Sequence, residues 1–208
     1  MNSDHFALGL LETTGYTPAM AALDVMEKSG DIRVLQAELN DFLGVILKIQ
    51  GPPADVRNAI EAGYETARHL GGEPVRDVIL KPHSWAWPAL ESAAEFNPLI
   101  QQNVVHEPTA MPDPSEKDSP QALGFIETQG FTAVFDAIDT ACKTAGVEVV
   151  GKEKLGGGYV TVVIRGDVAS VTTAIEAGKA QVEGLGKLIA AHVIPRPSRN
   201  VLSLLPGT

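Results

Sequence analysis

The chain has 208 residues, 44% of them apolar and 20% charged, with a formal net charge of −10. That is an ordinary globular composition with room for one large domain or two small ones. With no strongly basic segment and no apolar run near the roughly 20 residues that span a bilayer, a nucleic-acid partner and a membrane are both disfavoured.

Phe6–Thr13 is an apolar run closed by polar residues and Gly15, and it predicts a strand. Tyr16–Ser29 follows with Met20, Leu23 and Met26 at helical spacing. Strands are expected over Ile32–Leu39 and Val45–Gln50, joined by Asn40-Asp41-Phe42-Leu43-Gly44. Pro53 suits a first helical turn and Gly71-Gly72 a stop, so 53–71 reads as a second helix. Val75–Leu80 reads as the last strand. Residues 83–121 then break the pattern. A short helix is expected from about Pro88 to Phe96, and Trp85 and Trp87 are expected to pack onto their own domain, with a partner surface as the alternative. From Glu107 the stretch turns Pro-, Ser- and acid-rich, as exposed linkers do.

The chain then starts again. Ala7-Leu8-Gly9-Leu10-Leu11-Glu12-Thr13 returns as Ala122-Leu123-Gly124-Phe125-Ile126-Glu127-Thr128, and the offset from 7 to 122 holds without a gap to residue 197. Gly51 falls on Gly166, and Ala59–Gly63 on Ala174–Gly178. The second copy predicts strands over Val147–Leu155, Tyr159–Ile164 and Leu188–Ile194, with a helix over Val168–Leu185 capped by Asp167. The expected fold is α/β: two tandem β-α-β-β-α-β units of ferredoxin-like type, domain 1 over residues 1–82, a linker over 83–121, and domain 2 with a tail over 122–208. Charge is uneven between them. Residues 1–82 carry 12 acids and 7 bases, residues 83–121 carry 6 and 1, and residues 122–208 carry 8 of each.

No active site is legible. Lys154-Leu155-Gly156-Gly157-Gly158 has its lysine before the glycines and a strand after them, whereas a phosphate loop opens a helix. Arg165-Gly166-Asp167 sits between strand and helix and reads as a turn with a cap. The five histidines show no metal-ligand spacing, so neither a metal nor another cofactor is expected. Cys142, the single cysteine, reads as a small core residue. Glu12 and Glu127 are equivalent carboxylates at strand ends, a repeated position that suits an architectural role. The N-terminus lacks a basic-then-apolar signal pattern, and a cytoplasmic protein is expected. On these residues alone, a tandem ACT-like small-molecule-binding regulatory protein remains an alternative, and an enzyme is the weakest of the three readings.

Five motifs in order carry a resemblance: Ala122–Thr128, Asp139-Thr140-Ala141-Cys142-Lys143, Lys154–Val162, Arg165–Val168, and His192-Val193-Ile194-Pro195-Arg196-Pro197. Together they resemble the bacterial microcompartment (BMC) shell domain, and the first copy follows in register. The chain is thereby similar to tandem-domain, unpermuted shell proteins. The resemblance implies a homotrimer that mimics a hexamer, tiles facets beside other shell proteins, encloses enzymes as further candidate partners, and passes small metabolites through a central pore. It places the pore on Asn40, Asp41, Phe42 and Leu43 and on Gly156, Gly157 and Gly158. It places tile-edge contacts on Lys28, Lys143, Lys81 and Arg196. An iron–sulfur cluster, which some relatives hold through pore cysteines, is not expected, because neither loop has a cysteine.

Overall fold

The computed structural model describes residues 6–40, 43–108 and 121–206. The first unit runs β1 (Ala7–Thr14), α1 (Tyr16–Ser29), β2 (Arg33–Asn40), β3 (Gly44–Gly51), α2 (Pro53–His69) and β4 (Val75–Ile79). The connecting stretch holds α3 (Trp87–Leu90), β5 (Phe96–Asn97), β6 (Gln102–Asn103) and β7 (Val105–His106). The second unit runs β8 (Ala122–Gln129), α4 (Phe131–Thr144), β9 (Glu148–Gly156), β10 (Tyr159–Gly166), α5 (Val168–Ala180) and β11 (Lys187–Ile194), and the chain ends on α6 (Arg199–Ser203).

β5 and β6 pair with each other, and the main sheets of the two units are antiparallel with the same order. The second is β11-β8-β10-β9, and the first is β4-β1-β3-β2 with β7 added to its edge. In each unit the two helices pack together over the central strand. Gly63 abuts Met26 and Leu11, and Gly178 abuts Ile126 and Ala141. The central strand approaches the second helix closely: a Cβ on Gly9 would sit 2.8 Å from Val56 and Ile60, and one on Gly124 would sit 2.8 Å from Val171 and Ile175. Alanine at either position would push helix from sheet.

Alternation along β8 explains how the units join. Ala122 and Ile126 belong to the second unit's own core. Leu123 and Phe125 point to the opposite face and join the first unit's core, together with Leu155, Val163 and Ile194. The face of the second sheet away from its own helices is therefore filled by α1, which packs against β8, β11 and α6. The substantial contacts of α4, by contrast, all lie within its own unit.

Three local expectations are corrected. The helix over 88–96 is only the single turn α3, because Pro88 opens it and Ser92 is drawn away by hydrogen bonds to Gln36. The second unit's α5 stops at Ala180 rather than 185, and Gly184 turns left-handed at φ 80° beyond it. Cys142 is exposed rather than in the core.

Candidate functional site: two loops and the contact between the units

The loop after β2 and the loop after β9 lie at the same register in their units. Each hangs from the glycine that precedes its unit's first helix: Gly15 N–H donates to the Leu43 carbonyl at 2.8 Å, and Gly130 N–H to the Gly158 carbonyl at 2.9 Å. Asn40 ties the first loop down. Its amide donates to Glu12 at 2.5 Å and its oxygen accepts from Gly44 N–H at 3.0 Å. In the second loop, Gln129 donates to the Gly157 carbonyl at 3.2 Å.

Gly156, Gly157 and Gly158 are all left-handed, at φ 87°, 53° and 82°. This explains the three glycines, since an L side chain is strained there. Leu43, the register partner of Gly158, adopts the same turn at φ 63° with a side chain attached. That side chain lies against Gly157, where a Cβ would come within 2.7 Å of Leu43 Cδ2. The two loops, remote in sequence, therefore touch. Asp41 and Phe42 lie outside the described residues.

The contact between the units starts beside these loops. Glu127, fully buried on β8, accepts from Tyr16 N–H at 2.8 Å and Thr17 N–H at 2.9 Å. It thus caps the N-terminus of a helix in the other unit, where free N–H groups and the helix dipole favour a carboxylate. Burial pushes its carboxyl above the usual range, although the two backbone donors act in the opposite sense. The tail closes the contact along α1, from its first residue to its last turn. Tyr16 donates to the Leu204 carbonyl at 2.9 Å, Asp24 accepts from Ser198 N–H at 2.9 Å, and Glu27 accepts from Ser198 Oγ and, at 2.5 Å, from Asn200.

The linker braces the same region. β7 pairs with β2, and Ser92 donates to Glu38, which also holds Lys48 at 2.8 Å. Burial opposes ionisation of Glu38, yet Lys48 and Ser92 hold its carboxyl below the usual range. Its register partner in the second unit is Glu153, and Val163 stands there at the register position of Lys48. Glu153 accepts from Gln102, which also donates to the Lys154 carbonyl at 2.7 Å. Burial pushes Glu153 up to about 7.

Of the expected edge residues, Lys28 and Arg196 come together: Lys28 Nζ donates to the Arg196 carbonyl at 2.7 Å and to Asp24 at 2.5 Å. Lys143 pairs instead with Asp139 on its own helix at 2.5 Å, and Lys81 is exposed just after β4. Trp85 is 87% exposed, which corrects its expected packing onto its own domain. The inter-unit role of Glu127 was not foreseen. Its one signal was recurrence at Glu12, which marks structure without naming a partner. Among the described residues no group of His, Cys, Asp or Glu could hold a metal, and no helix is long and apolar enough to cross a membrane.

Comparison with known proteins decides between the readings. The BMC-domain family model matches residues 7–82 and again residues 122–197. The chain belongs to the BMC-domain family. It is a tandem-domain microcompartment shell protein, and the match of both units to this one family displaces the ACT-like alternative. The carboxysome assembly protein CcmO of Synechococcus elongatus is 32% identical over 200 residues, covering 96% of this chain and 68% of that protein. The microcompartment shell protein PduA of Salmonella typhimurium is 49% identical over 86 residues, covering 41% of this chain and 92% of that protein. A crystallised microcompartment protein from Desulfitobacterium hafniense DCB shares 27% identity over 93% of this chain and 96% of its own, at a TM-score of 0.38. The tandem shell protein keeps the β-α-β-β-α-β order in both units, so neither unit is permuted.

Proposed function

We propose that three copies of this shell protein close into a six-unit ring that tiles the facets of a microcompartment, with the loops at 40–43 and 156–158 lining a central pore for small metabolites. The observation that carries the reading is the head-to-tail contact within the chain. The open sheet face of unit two receives α1 of unit one, and the two surfaces are different. Such a contact generates a ring when its rotation closes, and two units per chain make six from three copies. The meeting of Leu43 with Gly157 supports a shared mouth, since it places both loops at one end of the unit boundary. On this reading Lys28, Lys143, Lys81 and Arg196 lie along the tile edges that meet other shell proteins, enclosed enzymes are candidate partners of the inner face, and the location is the shell of a microcompartment in the bacterial cytoplasm.

The pore carries three copies of Asp41-Phe42 alternating with three of Gly156-Gly157. Apolar rings obstruct water and acidic rings disfavour anions. Phe42→Ala is expected to raise the passage of small metabolites severalfold, read as turnover by a reporter enzyme enclosed in assembled shells. Unchanged turnover at full assembly would remove Phe42 from the constriction. Tiling itself is read by electron microscopy of the concentrated protein: hexagonally packed layers are expected, and isolated particles alone would contradict the tile.

A further inference from the structure

Between Glu95 and Val104 the connecting stretch folds into a hairpin that reaches from unit one to unit two. Its strands, β5 and β6, are two residues each. The turn closes on Gln101, whose N–H donates to the Asn97 carbonyl at 2.9 Å and whose backbone is left-handed at φ 59° without being glycine. Phe96 and Leu99 stand 59% and 92% exposed on it. The root is fixed on unit one: Val104 is buried in that core, and its carbonyl accepts from Leu39 N–H at 2.8 Å. Beyond the root, Ile100 rests half-buried on the same core. The hold on unit two is narrower. Among the described residues, the hairpin's hydrogen bonds to that unit all come from the Gln102 amide, which donates to Glu153 and, at 2.7 Å, to the Lys154 carbonyl.

We infer that this hairpin is a strap latched onto unit two through the neutral carboxyl of Glu153, and that ionisation of Glu153 releases it. Glu153 is 3% exposed, in one row with Thr161 and Glu127 across β9, β10 and β8. Tyr16 of α1 faces the same two carboxyls. The cation at hand is Lys154, which favours the carboxylate, but burial outweighs it. A carboxylate formed there gains most by reaching water. The sheet and α1 are packed into the two cores, whereas the hairpin can lift without breaking either, as light elements do in local opening. The same linker is fastened to unit one at the matching carboxylate, but there Lys48 pairs with Glu38 and Ser92 donates to it. That fastening keeps its charge while the one on unit two changes. Burial holds the latched carboxyl at about 7, and a solvated one titrates near 4.5. The latch is therefore fully favoured below pH 4.5 and is lost as the pH rises through 7. The displacement sets a ceiling of roughly 300-fold on the open-to-closed ratio. Tyr16 is raised well above its usual value and stays neutral, and His106 on β7 is lowered by burial and discharges before Glu153. Glu127 is also raised by burial and is the group to be separated from Glu153. On the pore reading, release frees the root of the loop at 156–158, two residues beyond Lys154; the strap itself stands independently of the pore.

Amide hydrogen exchange of the full chain, read by mass spectrometry at pH 5 and pH 8, tests the strap. Peptides over residues 95–104 report it, and those over 44–51 on β3 serve as the internal reference. Wild type is compared with Glu153→Gln at the same pH, which cancels the intrinsic exchange rate. At pH 8 the wild-type strap is expected to exchange roughly fiftyfold faster than that of Glu153→Gln, and at pH 5 within about fivefold of it, with the reference unchanged. Gln102→Ala, which removes the latch and leaves the carboxyl, is expected to speed exchange of the strap already at pH 5. Equal strap exchange in wild type and Glu153→Gln at pH 8 would overturn the latch and, if both quicken with pH beyond the intrinsic rate, assign the effect to Glu127. A reference that quickens as much as the strap would also overturn it, because the whole fold would then be loosening.

Discussion

Glu127→Ala is expected to destabilise the protein by about 3 kcal/mol, the largest effect of any single truncation at the boundary between the units. The carboxylate is fully buried and its two acceptor contacts are backbone N–H groups of the other unit. Alanine leaves both donors buried without partners, at about 1–3 kcal/mol each, and opens a void beside Gly15. Relief of the buried charge offsets part of that loss, since burial already raises the carboxyl. Glu127→Gln keeps one acceptor and should cost less than half as much. Urea unfolding measures both. Equal midpoints for Ala and wild type would mean that the cap contributes nothing to the joining of the units.

The second large effect is a pH dependence centred on Glu153. Its carboxyl is displaced upward to about 7 from 4.5, mainly by burial, so the folded state favours the neutral acid. Such a group contributes its full stability below about pH 4.5 and loses it as the pH rises through 7. The displacement corresponds to at most roughly 3 kcal/mol. Glu153→Gln keeps an oxygen for the Gln102 amide and cannot ionise. Against wild type it should gain stability steadily between about pH 4.5 and 7 and hold a constant margin above that. Glu127 and Glu27 are also raised by burial, whereas Glu38 is lowered and His106 and His192 are lowered by burial. The measurement is therefore the difference between variant and wild type, not the wild-type curve alone. Parallel curves across that range would mean that Glu153 is ionised at no cost in the fold.

The fold was largely legible because two periods are written clearly in the chain. The apolar positions of Tyr16–Ser29 recur at helical spacing, and the helix occupies those residues. Asp167 reads as a cap and accepts from Ser170 N–H at 2.9 Å. β7 was not legible: two residues, Val105 and His106, carry no alternation, and they become a strand only because the edge of β2 is free to pair. Trp85 and Cys142 failed for a different reason. Sequence marks a side chain as fit for burial without saying whether its own chain or another covers it. Both lie exposed in a single chain. The loops at 40–43 and 156–158 were locatable by resemblance, but their mutual contact through Leu43 and Gly157 depends on how the units sit together.

The central claim is that two unequal halves of one chain make one third of a closed ring. Native mass spectrometry tests it most directly. Three chains of 22.0 kDa predict a single species near 66 kDa, whereas a stable monomer or dimer at the same concentration would contradict it.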